Sequence, residues 1–252
     1  MGKMIYAEVT ANENFEPAIT QVSKVNGSRV ALIANTHRAI VRVADLTVQD
    51  KRLTAATQWR LVQENFPMGP QLNENTHIFD GGVFTNATKR SCFLMIAIPK
   101  AIAEPIAEIA VERWGSVHKL KRLDTIEHIL FRYYTNAAKK ASNKAQLDTD
   151  IENHKAQWII FPQDLGYRIL FMNDGLPHGA HYISNHPDLR AAELDRAWNT
   201  ATPSHVTILS RMSDDEEAAV SDDQWLHEFL KGKGVSIDNE MFRCLSRFVI
   251  RA

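Results

Sequence analysis

Cysteine is scarce in this sequence, and the shortage sets a first limit. Cys92 and Cys244 are the only two in 252 residues. Two cysteines alone build neither a disulfide framework nor a zinc site. Cys92 sits inside the apolar run SCFLMIAI, where a free buried thiol is expected. Long apolar runs are missing too. None approaches the roughly 20 residues that carry a helix across a bilayer. The opening MGKMIYAEVTANENFEPAIT lacks the apolar core of a secretory signal. A soluble, cytoplasmic chain is therefore expected, and the sequon Asn86-Ala87-Thr88 is read as chance.

An excess of positive charge is also absent. The 29 basic and 30 acidic side chains leave a net charge of −1, unlike the strongly basic domains that bind nucleic acid. The groups Lys119, Lys121, Arg122 and Lys139, Lys140, Lys144 read as solvated faces. The sequence contains no Gly-x-Ser-x-Gly elbow, no Gly-x-x-x-x-Gly-Lys-Ser/Thr loop and no His-Glu-x-x-His. Those absences argue against an α/β-hydrolase, a P-loop enzyme and a zincin.

What is present is an ordinary globular balance, 44% hydrophobic and 23% charged, long enough for one large domain or two small lobes. SRVALIANTHRAIVRVADL reads as two strands, Val30–Ala34 and Ala39–Ala44, joined in a hairpin by a short polar turn. TAATQWRLVQENF reads as a helix, and Asp80-Gly81-Gly82 as a loop or hairpin tip. CFLMIAIP fits a strand covered on both faces. AIAEPIAEIAVERW carries Ile102, Ile106 and Ile109 at helical spacing, with Pro105 tolerable in the first turn and Gly115 as the stop. VHKLKRL is a short strand candidate. Asp124 opens another helix with a capping-box pattern completed by Glu127.

Residues 136–155 are poor in large apolar side chains and form the linker candidate, with room for a surface helix. The expected division is an N-terminal lobe over residues 1–140 and a C-terminal lobe over 141–252. The second half opens on a meander, Trp158–Phe161, Tyr167–Met172 and Leu176–Ile183, turning at Gln163–Gly166 and Asn173–Gly175. DLRAAELDRAW reads as a helix led by Leu189, Leu194 and Trp198. HVTILS reads as a strand, DDQWLHEFLKGKG as a helix ending at Gly232 and Gly234, and MFRCLSRFVI as either helix or strand. Each half thus begins with a hairpin followed by helix–strand units, an α/β arrangement with a faint internal repeat.

That order resembles the two-lobed, ribonuclease H-like duplication of the actin-like ATPase superfamily, in which each lobe is a mixed sheet opened by a β-hairpin with flanking helices. Within it, SCFLMIAIPKAIAEPIAEIAVERWG, KLKRLDTIEHILFRYY and QDLGYRILFMNDGLPHGAHYIS are similar to elements of the PilM family of type IV pilus assembly and the cytoplasmic GspL domains of type II secretion. The resemblance covers about two-thirds of the chain and rests on order and pattern. It implies a phosphate loop at Asp164-Leu165-Gly166, where glycine lets backbone N–H groups approach an anion and a carboxylate orients Mg²⁺. It also implies a matching loop in the first half, read at Ala34–Arg38, which has neither Asp nor Gly. A glycine pair after HVTILS is missing as well; Arg211–Asp214 stands there.

The expectation is therefore a scaffold in pilus or secretion assembly, without a cofactor and with nucleotide hydrolysis lost. Its implied partner is the short cytoplasmic tail of an inner-membrane assembly protein, docked between lobes. The competing readings are an ATPase or sugar-kinase-like enzyme using Asp164 with Mg-ATP, and an unrelated α/β protein in which Asp164–Gly166 is a tight turn. His178, His181 and His186, with Asp174 or Asp188, are near one another in sequence; on a strand His178 and His181 face opposite ways, against a metal site. His37 is a candidate to face them across a cleft. The acidic run Asp214–Glu217 with Asp222 and Asp223 reads as a solvated loop that caps a helix, or as a docking surface for a basic peptide.

Overall fold

The computed structural model describes residues 4–11, 17–22, 29–46, 53–114, 120–145, 156–163, 165–211 and 224–242. Their strands form three sheets. The N-terminal sheet has the order β2-β1-β3-β7, built from β1 (Met4–Ala11), β2 (Pro17–Val22), β3 (Arg29–Asn35) and β7 (Leu120–Thr125). A three-stranded antiparallel sheet has the order β4-β6-β5, from β4 (Ile40–Leu46), β5 (His77–Thr85) and β6 (Ser91–Pro99). The C-terminal sheet has the order β10-β9-β8-β11-β12, from β8 (Ala156–Gln163), β9 (Gly166–Asn173), β10 (Leu176–Ser184), β11 (His205–Arg211) and β12 (Ser236–Phe242). The helices are α1 (Ala55–Asn65), α2 (Lys100–Trp114), α3 (Ile126–Ala145), α4 (Pro187–Thr200) and α5 (Gln224–Gly232).

Strand periodicity explains how three cores share these sheets. Alternate side chains of a strand point to opposite faces. On β6, Cys92, Leu94, Ile96 and Ile98 enter the central core, while Phe93, Met95 and Ala97 face a smaller core under α1. On β8, Ile159 and Phe161 join the central core; Trp158 and Ile160 join the core beneath α4 and α5. The central core therefore packs the first two sheets against one face of the third. The expected double burial of CFLMIAIP is observed: residues 91–98 are all buried.

The two larger sheets repeat one pattern. An antiparallel pair, β1 with β2 or β8 with β9, is followed by two parallel strands, β3 and β7 or β11 and β12. The first hairpin is thus β1–β2 and not the pair expected at 30–44. β3 pairs with β1 and β7, whereas β4 crosses to the other sheet and pairs with β6.

Other expectations are corrected by packing. Asp80-Gly81-Gly82 is no turn: β5 runs straight through it, in register with Ile96, Met95 and Leu94 of β6. A Cβ on Gly81 would lie 2.7 Å from the Leu94 carbonyl oxygen and 2.8 Å from the Phe93 ring, so the glycine permits close strand packing. Pro105 is the sixth residue of α2, past the first turn. The helix tolerates it because the carbonyl left without a donor belongs to exposed Ala101, where water can serve it. The cap of α3 is Thr125, not Asp124; its Oγ1 accepts from the His128 N–H at 3.2 Å. Residues 136–145 of the expected linker belong to α3. Leu189 is 51% exposed, whereas Leu194 is buried and Trp198 packs against the same core as expected, joined there by Ala197. The Asn173–Gly175 turn is as expected, with Asp174 and Gly175 at φ 49° and 72°, the signature of a two-residue hairpin. Gly115, Cys244, Asp164, the acidic run 214–217 with 222–223, and residues 243–250 of the final apolar stretch lie outside the described residues.

Candidate functional site at the seam between sheets

Two turns meet where the N-terminal and C-terminal sheets adjoin. One is the connection from β3 to β4, Thr36–Ala39; the other lies between β8 and β9. The Gln163 side-chain amide donates to Asn35 Oδ1 at 2.9 Å. From β9, Arg168 reaches the same connection. One guanidinium nitrogen donates to the carbonyls of Ala39 at 2.8 Å and His37 at 3.2 Å. The His37 ring packs against Tyr182 of β10, with centroids 5.3 Å apart. His37 thus does face β10, but against Tyr182.

Arg168 is buried, so its charge needs a counter-charge. Glu127, in the first turn of α3, supplies it: Arg168 Nε lies 3.0 Å from Glu127 Oε1. The carboxylate is completely buried, and neither oxygen has an aligned hydrogen bond. Burial pushes the Glu127 carboxyl above its ordinary pKa, while the Arg168 guanidinium pulls it back only in part. The seam is therefore held by an arginine that ties a carboxylate on α3 to backbone carbonyls of the N-terminal half.

Beside Glu127, a second cluster forms. Asp80, Asp124 and His128 bring one ligand atom each to within 4.8 Å of one another, the spacing of a metal site. The imidazole contradicts that use. Arg132 NH2 lies 2.9 Å from His128 Nε2. Arginine can only donate, so Nε2 accepts and the ring proton sits on Nδ1, facing Asp80 Oδ2 at 3.5 Å. A metal-bound histidine requires the reverse, a lone pair on the metal side and an N–H on the other. The cluster is an Asp–His–Arg relay of polar contacts, not a ligand set for a cation.

The residues expected to hold phosphate divide differently. Asp164 lies outside the described residues. Gly166 begins β9 opposite Ser184, and Asn185 N donates to the Leu165 carbonyl at 2.8 Å. A Cβ at Gly166 would meet the Ile183 carbonyl oxygen at 2.0 Å, so close approach of β10 accounts for the glycine. By sheet order the counterpart of the β8–β9 turn is the β1–β2 connection, residues 12–16, and not Ala34–Arg38. That connection reads Asn-Glu-Asn-Phe-Glu and has no glycine either. The three histidines of β10 and its following turn do not converge: His178 is exposed, and His186 is exposed 3.8 Å from Asp188. His181 is half-buried, and burial lowers its pKa.

Sequence reasoning missed Glu127 and Arg168 as a pair. The signal was there: each is a lone charge inside an otherwise apolar segment, TIEHILF and YRILFM, and charges rarely enter a core unpaired.

No family model matches the sequence, and no curated protein matches it. Among solved structures, the chain is similar to a protein from Bacteroides thetaiotaomicron with an actin-like ATPase fold and unknown function. The TM-score is 0.52 at 10% identity, covering 98% of this chain and 96% of that one. It is similar also to a chain of the PilM–PilN type IV pilus biogenesis complex, with a TM-score of 0.52 at 12% identity, covering 95% and 90%. The chain has an actin-like fold of mixed α/β type and resembles PilM in it.

Proposed function

We propose that this chain is a cytoplasmic scaffold of a pilus or secretion assembly machine, with lobes over residues 1–140 and 141–252 and nucleotide hydrolysis lost. The observation that carries the reading is the likeness over nearly the full chain to a component of a complex in type IV pilus biogenesis. The seam supports it. Protein side chains bridge the β3–β4 and β8–β9 connections, with Gln163 on Asn35 and Arg168 on three carbonyls. The carbonyl oxygens of the β3–β4 connection are taken up by the Arg168 guanidinium, and the β1–β2 connection, the counterpart of the β8–β9 turn, has no glycine to bring backbone N–H groups close to a phosphate. The partner in this reading is the short cytoplasmic tail of an inner-membrane assembly protein. Among the described residues no helix is long and apolar enough to cross a membrane, so recruitment would run through that tail.

The test is calorimetric titration of the full chain with two ligands. The first is Mg-ATP; the second is a set of synthetic cytoplasmic tails from membrane proteins encoded beside the gene. One tail is expected to bind at about 1 µM to 100 µM, and Mg-ATP to give neither heat nor a raised melting temperature. Binding and turnover of Mg-ATP would instead establish the ATPase reading that uses Asp164. Silence from every tail would remove the scaffold reading.

A further inference from the structure

We propose that β2 is a docking edge for a second copy of this chain, the two β2 strands pairing antiparallel so that two N-terminal sheets join into one. Among the described residues β2 pairs with β1 alone and ends its sheet. Such an edge offers a row of backbone N–H and C=O groups to a strand laid beside it.

The C-terminal sheet shows what fits there. β1 and β2 correspond to β8 and β9, and against β9 that sheet lays a third antiparallel strand, β10. The matching place beside β2 holds no described strand. Residues 23–28 are all that separate β2 from β3, which lies on the far side of β1. That length is too short for a third strand and its return.

Charge and symmetry choose the occupant. Proteins guard sheet edges with charged residues, proline or bulges. Lys121 on β7, Arg42 on β4, Asp80 on β5 and Asp238 on β12 serve four of the edges, and β10 carries Pro177 with a register shift. β2 has no charged residue. Its proline, Pro17, is the first residue of the strand, where a missing N–H costs the ladder least. Its one irregularity is the extra Thr20, opposite the shift between Glu8 and Val9. β10 carries a comparable extra residue and still pairs with β9 on both sides of it. A two-fold axis sets identical strands antiparallel, and an uncharged strand meets its own copy without like-charge repulsion. A charged partner tail would find no counter-charge on β2, so the copy is the better match.

The experiment is sedimentation equilibrium of the full chain at concentrations on both sides of the expected Kd. One strand pair is a small contact, so a dimer with a Kd of about 10–100 µM is expected. Centred pairing brings Thr20 and Gln21 close to their own copies, so T20K/Q21K and T20E/Q21E should each weaken the dimer at least about tenfold. Mixed in equal amounts, the two variants should associate again, which misfolded chains would not do. Hydrogen exchange on the unmodified chain gives a second reading: amides of residues 18–22 should exchange more slowly as concentration rises. The proposal is overturned if the wild type stays monomeric, if the dimer survives in both charged variants, or if the concentration-dependent protection lies elsewhere. A monomer whose β2 amides are protected by a synthetic cytoplasmic tail would overturn it in favour of that tail.

Discussion

Arg168 and Glu127 make the seam sensitive to pH in a defined direction. The folded carboxyl has a pKa raised above its unfolded value, because burial outweighs the attraction of the guanidinium. A raised carboxyl binds its proton more tightly in the folded protein. Its stability contribution is therefore complete below the unfolded value, near 4.5, and is lost as pH rises through the folded value. Glu127→Gln removes that titration while keeping the shape. Urea midpoints for both proteins at steps from about pH 4 to pH 8 should show the variant gaining on the wild type as pH rises. A difference that stays flat, or moves the other way, would show that Glu127 is not held in this buried setting. A lone glutamate among TIEHILF was visible in the sequence, but its partner sits 41 residues away on β9 and no spacing rule joins them.

At the scale of elements, β5 gives the sharpest contrast between local rules and packing. Asp-Gly-Gly is a turn signal when read alone. Here neighbouring β6 overrides it, since Gly81 lies under the Leu94 carbonyl and the Phe93 ring and Gly82 lies 3.1 Å, at its would-be Cβ, from His128 Nε2. Gly81→Ala should lower stability by about 1–3 kcal/mol, as overpacking of a filled site does. Thermal or urea unfolding measures it, and an unchanged midpoint would fit a turn and contradict the strand. The elements read correctly had patterns that needed no distant partner. β6 was a continuous apolar run, β8 and β9 were apolar runs of their own with an Asn-Asp-Gly turn leading into β10, and α1 had its Thr54 cap, whose side chain accepts from Thr57 N at 3.2 Å. The failures all depended on context: which sheet β4 joined, which residue capped α3, and whether Leu189 faced inward. β1 was missed although Ala7 and Val9 alternate with polar neighbours and are fully buried. β12 was missed because SIDNEMF has few β-branched residues; its place is set by parallel pairing with β11.

For the whole molecule, the question is how firmly the first half is joined to the second. The contacts that cross are spread widely. Arg90 pairs with Asp174 at 3.1 Å, Asn86 donates to the Asp174 carbonyl at 3.1 Å, and Arg168 bridges to Glu127. The pairing of Asn86 also explains why its sequon is closed, since that residue is only 6% exposed. Cys92 reports on the same joint. It is buried on β6, and its thiol donates to the Pro177 carbonyl of β10 at 3.7 Å. Burial, reinforced by the Asp45 charge, pushes it from the ordinary 9.0 up to about 12. Near pH 8 such a thiol carries about a thousandfold less thiolate, the reactive form, than an ordinary one. In a Cys244→Ser variant, labelling by an aromatic disulfide should therefore be at least about a thousandfold slower in the folded protein than in urea. If opening is global, the residual rate should also follow the urea dependence of unfolding. Labelling within about tenfold of the unfolded rate would mean that β6 and β10 part readily. The seam would then be a hinge between sheets, and a tail docked there would be gripped by closure instead of meeting a preformed groove.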